Sequence, residues 1–330
     1  MSSIDVVVPC YRYGHFLREC VESVLTQPGL TVRVLVIDDA SPDNTGEVAA
    51  ELARGDSRLS VVRHATNKGH IATYNEGIEW VSADYMLLLS ADDYLLPGAL
   101  SHSAALMDAY PEVGFTFGNV IELRDNQDLN RGGADVVMKS GWRILSGLEF
   151  VELSASRNIV PTPTAVVRTA LQKRIGGYRN DLPHSGDMEM WFRLAGLSSV
   201  GILEACQAVY RLHSGNMSLN YMSLLPDLEQ RKAALDYFYR TCSFSTAQWL
   251  HQRALSSLAR DAIGLASRAF NEGKMEVSGQ FSEFAFDVCP KIKGSREWAK
   301  LTCKRRMGLR VWNALRPAFA KIRQAPLPLS

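Results

Sequence analysis

Over its first 110 residues this chain alternates short apolar runs with segments of helical spacing, and few folds accommodate that alternation. Ile4 to Val8 is a largely β-branched run ending at Pro9, the pattern of a strand covered on both faces. His15 to Gln27 follows with helical spacing and is closed by Pro28-Gly29. Val32 to Ile37 is a second such run, after which Ser41-Pro42-Asp43-Asn44 supplies turn and capping residues for a helix reaching about Ala53. Leu59 to Val62 and Tyr85 to Leu89 add two strands, Ile71 to Val81 a helix, and Pro97 to Tyr110 another with proline in its first turn. The first 120 residues therefore predict an α/β unit, a parallel sheet covered by helices.

The next hundred residues are more mixed. Val113 to Leu123 reads as one or two strands, and Arg124 to Met138, polar and glycine-containing, as a loop over the site. Helical spacing returns at Glu149–Ser154, Thr169–Ile175 and Met188–Ala195, with strand candidates at Thr164–Val167, Val200–Leu203 and Ala208–Tyr210. From Leu224 to Phe319 strand signals vanish, and Ala-, Leu-, Arg- and Glu-rich segments are interrupted only near Gly273 and at Pro290 to Gly294. At 330 residues the chain exceeds one ordinary domain, so residues 1–220 are expected to form the α/β unit and residues 221–330 a helical appendage.

In an open parallel sheet, ligands bind beyond the carboxyl ends of the strands. Two acidic pairs fall there: Val34-Leu35-Val36-Ile37 runs into Asp38-Asp39, and Met86-Leu87-Leu88-Leu89 into Ser90-Ala91-Asp92-Asp93. Adjacent carboxylates repel and lose hydration when partly buried, unless hydrogen-bond donors or a cation offset the cost. A hard divalent ion such as Mg²⁺ or Mn²⁺, sharing substrate phosphate oxygens, does so. Either pair alone also suits a helix cap or a solvated turn. The chain has no GxxxxGK[ST] loop, no GxGxxG after its first strand and no GxSxG elbow, which removes P-loop, dinucleotide-dependent and serine-hydrolase chemistry. A metal and diphosphate site without a covalent nucleophile is what remains.

These residues resemble the family 2 glycosyltransferases, inverting enzymes of the GT-A fold, as found in bacteria. The likeness runs from about residue 4 to 218 through VVVPCYRYGHFLRECVESVLTQ from Val6, VLVIDDASPDNT from Val34, NKGHIATYNEGI from Asn67, YMLLLSADD from Tyr85, HSGDMEMWFRLA from His184 and YRLHSGNMS from Tyr210. The resemblance implies that Pro9 and Tyr11 shape the nucleotide pocket, that Asp39 hydrogen-bonds the base, and that Asp38 and Ser41 support that turn. It implies that Asp92 and Asp93 form the metal and ribose site, either one being the direct ligand, with His213 near the metal or diphosphate and Lys68 toward the diphosphate. Asp187 occupies the position of the general base that takes the acceptor's proton, with Glu189 as its rival and a helix cap as the alternative role. Three positions depart from the family pattern: Ser90 where Asp or Asn is common, Tyr74 where a basic residue is common, and Gly186 where many relatives carry Glu. Trp191 and Arg193 suit packing and a supporting salt bridge.

The expected activity is transfer of a sugar from a nucleoside-diphosphate donor, UDP-linked by family habit, to a hydroxyl of a glycan or lipid-linked acceptor in cell-surface polysaccharide synthesis. The alternative is a catalytically silent binding or partner subunit of the same fold; a nucleotidyltransferase would release pyrophosphate instead. The net charge of +1 hides a lopsided distribution: between Lys291 and Arg323 eleven basic residues face one acid, Glu297. Trp298, Leu301, Leu309, Trp312, Leu315, Phe319 and Ile322 fall largely at helical spacings within that stretch, with Pro317 as a kink. Such a segment suits either an anionic membrane surface through residues 291–323 or packing on the rest of the chain. No recognition motif accompanies the charge, so nucleic acid is not an expected partner. The helical region is a candidate surface for homo-oligomers. Scattered cysteines without a CxxC pair, an amino terminus that reads as a strand rather than a leader, and the lack of an 18-residue apolar window predict a cytoplasmic protein, peripheral on the inner face of the membrane if it binds there at all.

Overall fold

The computed structural model describes residues 2–124, 141–217 and 224–314. The loop expected at Arg124 to Met138 lies almost wholly outside them, as do Leu315, Pro317, Phe319 and Ile322 of the basic segment.

The amino-terminal half folds as β1 (Ser3–Cys10), α1 (Gly14–Leu25), β2 (Thr31–Asp38), α2 (Thr45–Gly55), β3 (Leu59–Arg63), α3 (His70–Trp80), β4 (Tyr85–Leu88), β5 (Tyr94–Leu95) and α4 (Ala99–Ala109). There follow β6 (Val113–Arg124), β7 (Trp142–Leu145), α5 (Gly147–Ser154), a 3₁₀ turn at Thr162–Thr164, β8 (Val166–Arg168), α6 (Thr169–Ile175), α7 (Gly186–Ala195) and β9 (Ser199–Leu212). One sheet runs in the order β3-β2-β1-β4-β8-β6-β9-β5, with β7 paired to β9. β1 to β4 are mutually parallel, β8 is antiparallel to both β4 and β6, and β6 and β9 are parallel to each other. The result is a mixed α/β sheet whose parallel half follows the expected alternation.

Two segments that read as separate strands, Val200–Leu203 and Ala208–Tyr210, are one long strand, β9. Its pairing with β6 slips at Gly118/Asn119 and Asn119/Val120, opposite Leu203 to Ala208, and such bulges bend a strand without ending it. Thr164, expected in a strand, instead closes the 3₁₀ turn, and β8 begins at Val166.

Apolar residues cover both faces of the sheet. Ile4, Val6 and Val8 of β1 pack with Leu17, Val21 and Val24 of α1 and with Leu100 and Ala104 of α4, while the other face joins Val7 and Leu35 to Ile71, Phe115, Phe150 and Trp191. Beyond β9 every described regular element is helical: Leu225–Thr241, Ala247–Asn271, Met275–Val288 and Arg296–Met307, with a 3₁₀ turn at Pro290–Gly294. Leu228, Leu235 and Phe238, together with Leu258 and Ile263, belong to the same apolar cluster as Phe192 of α7. The helices thus continue the core that lies behind the sheet. Leu301 is buried there, and Trp298, Leu309 and Trp312 pack against it, so these four residues of the basic segment face protein, while Val311 is exposed. No helix among the described residues is long and apolar enough to cross a membrane.

Candidate active site

The carboxyl ends of β1, β2 and β4 open onto one side of the sheet, and the loops that leave them are tied together. Asp39 N–H donates to the Cys10 carbonyl (2.9 Å), joining the ends of β1 and β2. The buried Asp38 carboxylate accepts from Ser41 N–H (2.9 Å) and pairs with Arg63 Nε (3.1 Å), while Ser41 Oγ accepts from Arg12 N–H (3.0 Å). Arg12 and Ala40 both have positive φ, 65° and 57°, so the two turns are tight and held by these bonds.

Asp39 organises the next loop. Its carboxylate interacts with His64 Nδ1 (2.6 Å) and accepts from the N–H groups of Lys68 (2.8 Å) and Gly69 (2.9 Å). Burial alone would raise its pKa, but these bonds outweigh burial and hold it below the usual carboxylate value. The Lys68 ammonium is paired with Glu76 Oε2 (2.9 Å), which also meets His64 Nε2 (3.0 Å). Pro9, Tyr11, Asp39, Asn67 and Gly69 then line a cavity of about 770 Å³, with Tyr11 exposed and His213 at the same wall.

Asp92 and Asp93 sit in the loop between β4 and β5, both buried. Arg211 of β9 clamps this loop: its N–H donates to Asp93 Oδ1 (2.9 Å) and its guanidinium to the Asp92 carbonyl (2.6 Å). That guanidinium is itself fixed by Glu19 and lies over the rings of Phe16 (4.8 Å) and Tyr94 (4.7 Å). His213 Nε2 is 3.1 Å from Asp92 Oδ2, and Asn216 Nδ2 donates to the same oxygen (3.3 Å). Burial pushes the Asp93 carboxyl well above the ordinary range, with the Asp92 charge adding to it; burial also raises Asp92. Among the described residues no three His, Cys, Asp or Glu side chains converge closely enough to hold a metal unaided. The donor set nonetheless fits a hard divalent cation: two adjacent carboxylates whose charge burial disfavours, and an imidazole on one of them, leaving positions for phosphate oxygens.

Asp187 lies in the first turn of α7, whose flanking Ser185 makes no side-chain capping bond. The Asp187 carboxylate does not close the helix; Thr162 Oγ1 donates to its Oδ2 (3.1 Å). Burial raises its pKa, against the hydrogen bonds of Thr162 and Tyr178 and the charge of His70. Glu189 is instead held by Arg193 (2.9 Å), whose guanidinium also caps the Ile175 and Gly177 carbonyls. Asp187, Asp92, Asp93 and Ser90 line a single cavity of about 200 Å³. It shares Tyr13, His70, Tyr74, Ser90 and Met217 with the larger one.

The structure therefore brings Asp92, Asp93 and Asp187 to one space and Pro9, Tyr11, Asp39 and His213 to the adjoining one, with His213 reaching Asp92 between them, while Asp38, Ser41 and the Lys68 ammonium are engaged in the framework around it. Thr162, Tyr178 and Asn216 also line the site and had no assigned role in the sequence reading. Asn216 stands three residues after His213 within a motif already noticed; nothing near Thr162 or Tyr178 marks either.

The sequence model of the family described as Glycosyl transferase family 2 matches residues 5–154. A protein of Mycobacterium tuberculosis, the uncharacterized MT1568, is 30% identical over 207 residues, 60% of this chain and 63% of that one, so the match spans less than two thirds of that relative's length. Among solved structures, residues 1–349 of Staphylococcus aureus TarS in complex with UDP-GlcNAc superimpose with a TM-score of 0.61 at 15% identity, covering 88% of this chain and 92% of that one. The mannosyltransferase PcManGT of Pyrobaculum calidifontis, in complex with GDP-Man and Mn²⁺, gives 0.52 at 15% identity over 87% and 86%. Residues 5–154 thus carry the sequence signature of glycosyl transferase family 2, and the chain has the GT-A fold of these neighbours.

Proposed function

We propose that the chain is an inverting glycosyltransferase that moves a sugar from a nucleoside-diphosphate donor, UDP-linked in the first instance, to a hydroxyl of a glycan or lipid-linked acceptor. The observation that carries this reading is the shared cavity: the acidic pair Asp92–Asp93 and the buried Asp187 face one space, which adjoins a pocket large enough for a nucleotide. Inversion requires the acceptor's base and the departing diphosphate on opposite sides of the sugar carbon, which two separate acidic groups across one cavity suit.

In this reading Pro9, Tyr11 and Asp39 border the nucleoside, with Asp38 and Ser41 fixing the turn and Lys68, through its backbone N–H, fixing Asp39. Asp92 and Asp93 with His213 would hold a divalent metal, Mn²⁺ or Mg²⁺, which when bound neutralises charge on the diphosphate. The neighbour carrying Mn²⁺ and GDP-Man supports the choice of ion. Asp187 takes the proton from the attacking hydroxyl; its buried, protein-enclosed carboxylate is the more basic for being poorly hydrated. Residues 1–220 carry the chemistry, and residues 221–330 form the helical appendage. Helix Leu225–Thr241 braces the loop leading to Asp187, where Gln230 Oε1 accepts from His184 N–H (3.1 Å) and Gln230 Nε2 donates to the Asp181 carbonyl (3.3 Å). The exposed Lys291, Lys293, Arg296, Lys300, Arg306 and Arg310 would meet an anionic membrane surface mainly by charge, since Trp298, Leu301, Leu309 and Trp312 are committed to the core.

The test is nucleoside diphosphate release from a panel of UDP- and GDP-sugars with Mn²⁺. Release that is lost in both Asp93→Ala and Asp187→Asn supports the reading, and wild-type rates in either variant overturn its site. Pyrophosphate release would identify a nucleotidyltransferase, and donor binding without turnover a silent partner subunit.

A further inference from the structure

We propose that Thr162 and Tyr178 are positioning residues for Asp187, their hydroxyls fixing its carboxylate toward the cavity, and that Gly186 is glycine because Tyr178 stands beside it. The proposal rests on the reading of Asp187 as the base that receives the acceptor's proton.

A carboxylate turns on two soft torsions, and a base held a fraction of an ångström out of line loses much of its effect. Thr162 supplies one restraint, the 3.1 Å bond to Asp187 Oδ2. It is carried on a turn with little freedom: Pro161 precedes it and Pro163 follows, and Thr164 Oγ1 bonds the Pro161 carbonyl (2.8 Å) while accepting from Gly118 N–H (3.1 Å). Tyr178 lines the same cavity as Asp187, its ring lies beside Gly186 immediately before that residue, and its hydroxyl favours the charged carboxylate. Its backbone is gripped at both polar groups by Asn75, which accepts from Tyr178 N–H (2.6 Å) and donates to the Tyr178 carbonyl (3.0 Å). Its ring meets Tyr74 edge to face at 5.3 Å.

Gly186 completes the arrangement. A Cβ placed there would lie 3.2 Å from Tyr178 Cδ1 and 3.8 Å from Ile71 Cδ1. Any side chain there would press on the ring, which would have to give by a few tenths of an ångström. The other groups facing Asp187 are His70, whose charge favours the carboxylate, and Tyr74, whose ionisation Asp187 opposes.

The proposal is tested on the full chain labelled with ¹³Cγ-aspartate, the Asp187 resonance being assigned by its loss in Asp187→Asn. Removing a donor to the charged form makes the carboxyl a weaker acid, so Thr162→Val and Tyr178→Phe should each shift the Asp187 titration upward by about half to one pH unit. Thr162→Ser, which keeps the hydroxyl, should titrate like the wild type. An unchanged titration in Thr162→Val or in Tyr178→Phe overturns the role of that residue, and an equal shift in Thr162→Ser assigns the effect to altered packing. Nucleoside diphosphate release by Asp187→Asn is measured alongside: wild-type turnover there removes the base reading while leaving the titration result standing.

Discussion

Replacing Asp39 by Asn changes one oxygen to an NH₂ group and tests whether this carboxylate organises the loop at the donor pocket. In the wild type, Oδ1 meets His64 Nδ1 and Lys68 N–H, and Oδ2 accepts from Gly69 N–H. Asn can keep its oxygen at the two-partner position, which turns the NH₂ toward Gly69 N–H. One bond is lost, two donors face each other, and the remaining bonds lose their charge assistance. At 1.5–3 kcal/mol for a hydrogen bond to a charged group, less what survives, the loss of stability should be about 2–3 kcal/mol. It should depend on pH in a stated direction. The folded-state pKa of Asp39 lies below its unfolded value of about 3.9, so its stabilisation is fully present above that value and is lost as pH falls through the folded pKa. Urea unfolding of both proteins from pH 7 down to 3 is the assay: the gap should be widest at neutral pH and narrow below about 4. Equal stability at pH 7, or a gap that grows on acidification, would refute the reasoning. Because Asn67 and Gly69 line the pocket, nucleotide affinity should fall about tenfold or more in the same variant.

Asp187→Asn should lower turnover by about 10²–10⁴-fold without lowering the melting temperature at pH 7, since burial raises the carboxyl's pKa and an ionised Asp187 therefore disfavours the folded state at neutral pH. Gly77 of α3 packs on β1 so closely that a Cβ would lie 2.3 Å from Val7 Cγ1; Gly77→Ala should cost about 1–3 kcal/mol in urea unfolding despite alanine's better helix propensity. Asp5, fully buried, receives Arg33 Nε (2.8 Å) and Nη2 (2.7 Å) and the N–H groups of Ser82 (2.7 Å) and Ala83 (2.9 Å). Asp5→Ala leaves those two backbone donors without their acceptor, so about 2–4 kcal/mol should be lost by the same measurement.

The parallel half of the fold was legible because its strands are buried on both faces and leave continuous apolar runs such as Val34 to Ile37, and because the helices between them carry their own turn and capping residues. β5 and β7 escaped: Tyr94–Leu95 is two residues long, and Trp142–Leu145, with Trp142 exposed, shows no strict alternation. β9 read as two strands because its bulged centre, Glu204 to Gln207, interrupts the apolar pattern. That Asp92, Asp93 and Asp187 line one cavity follows from positions visible in the sequence, at strand ends or in recurrent motifs. What holds them is not visible there. Arg211 reaches across 118 positions to Asp93, Thr162 across 25 to Asp187, and Lys68 turns its ammonium to Glu76 rather than into the pocket. The first two pairings depend on which elements the fold lays side by side, and the local sequence carries no trace of that.

The central claim is a nucleotide-sugar site whose nucleotide grip depends on a cation at Asp92, Asp93 and His213 and whose base, Asp187, acts separately. Thermal stabilisation by UDP and by GDP, each with and without Mn²⁺, in the wild type, Asp92→Asn and Asp187→Asn, tests it most directly, because a ligand raises the melting temperature only by binding the folded state. Stabilisation by a nucleoside diphosphate should require Mn²⁺, disappear in Asp92→Asn and persist in Asp187→Asn. Stabilisation that ignores the metal, or survives unchanged in Asp92→Asn, would contradict that claim.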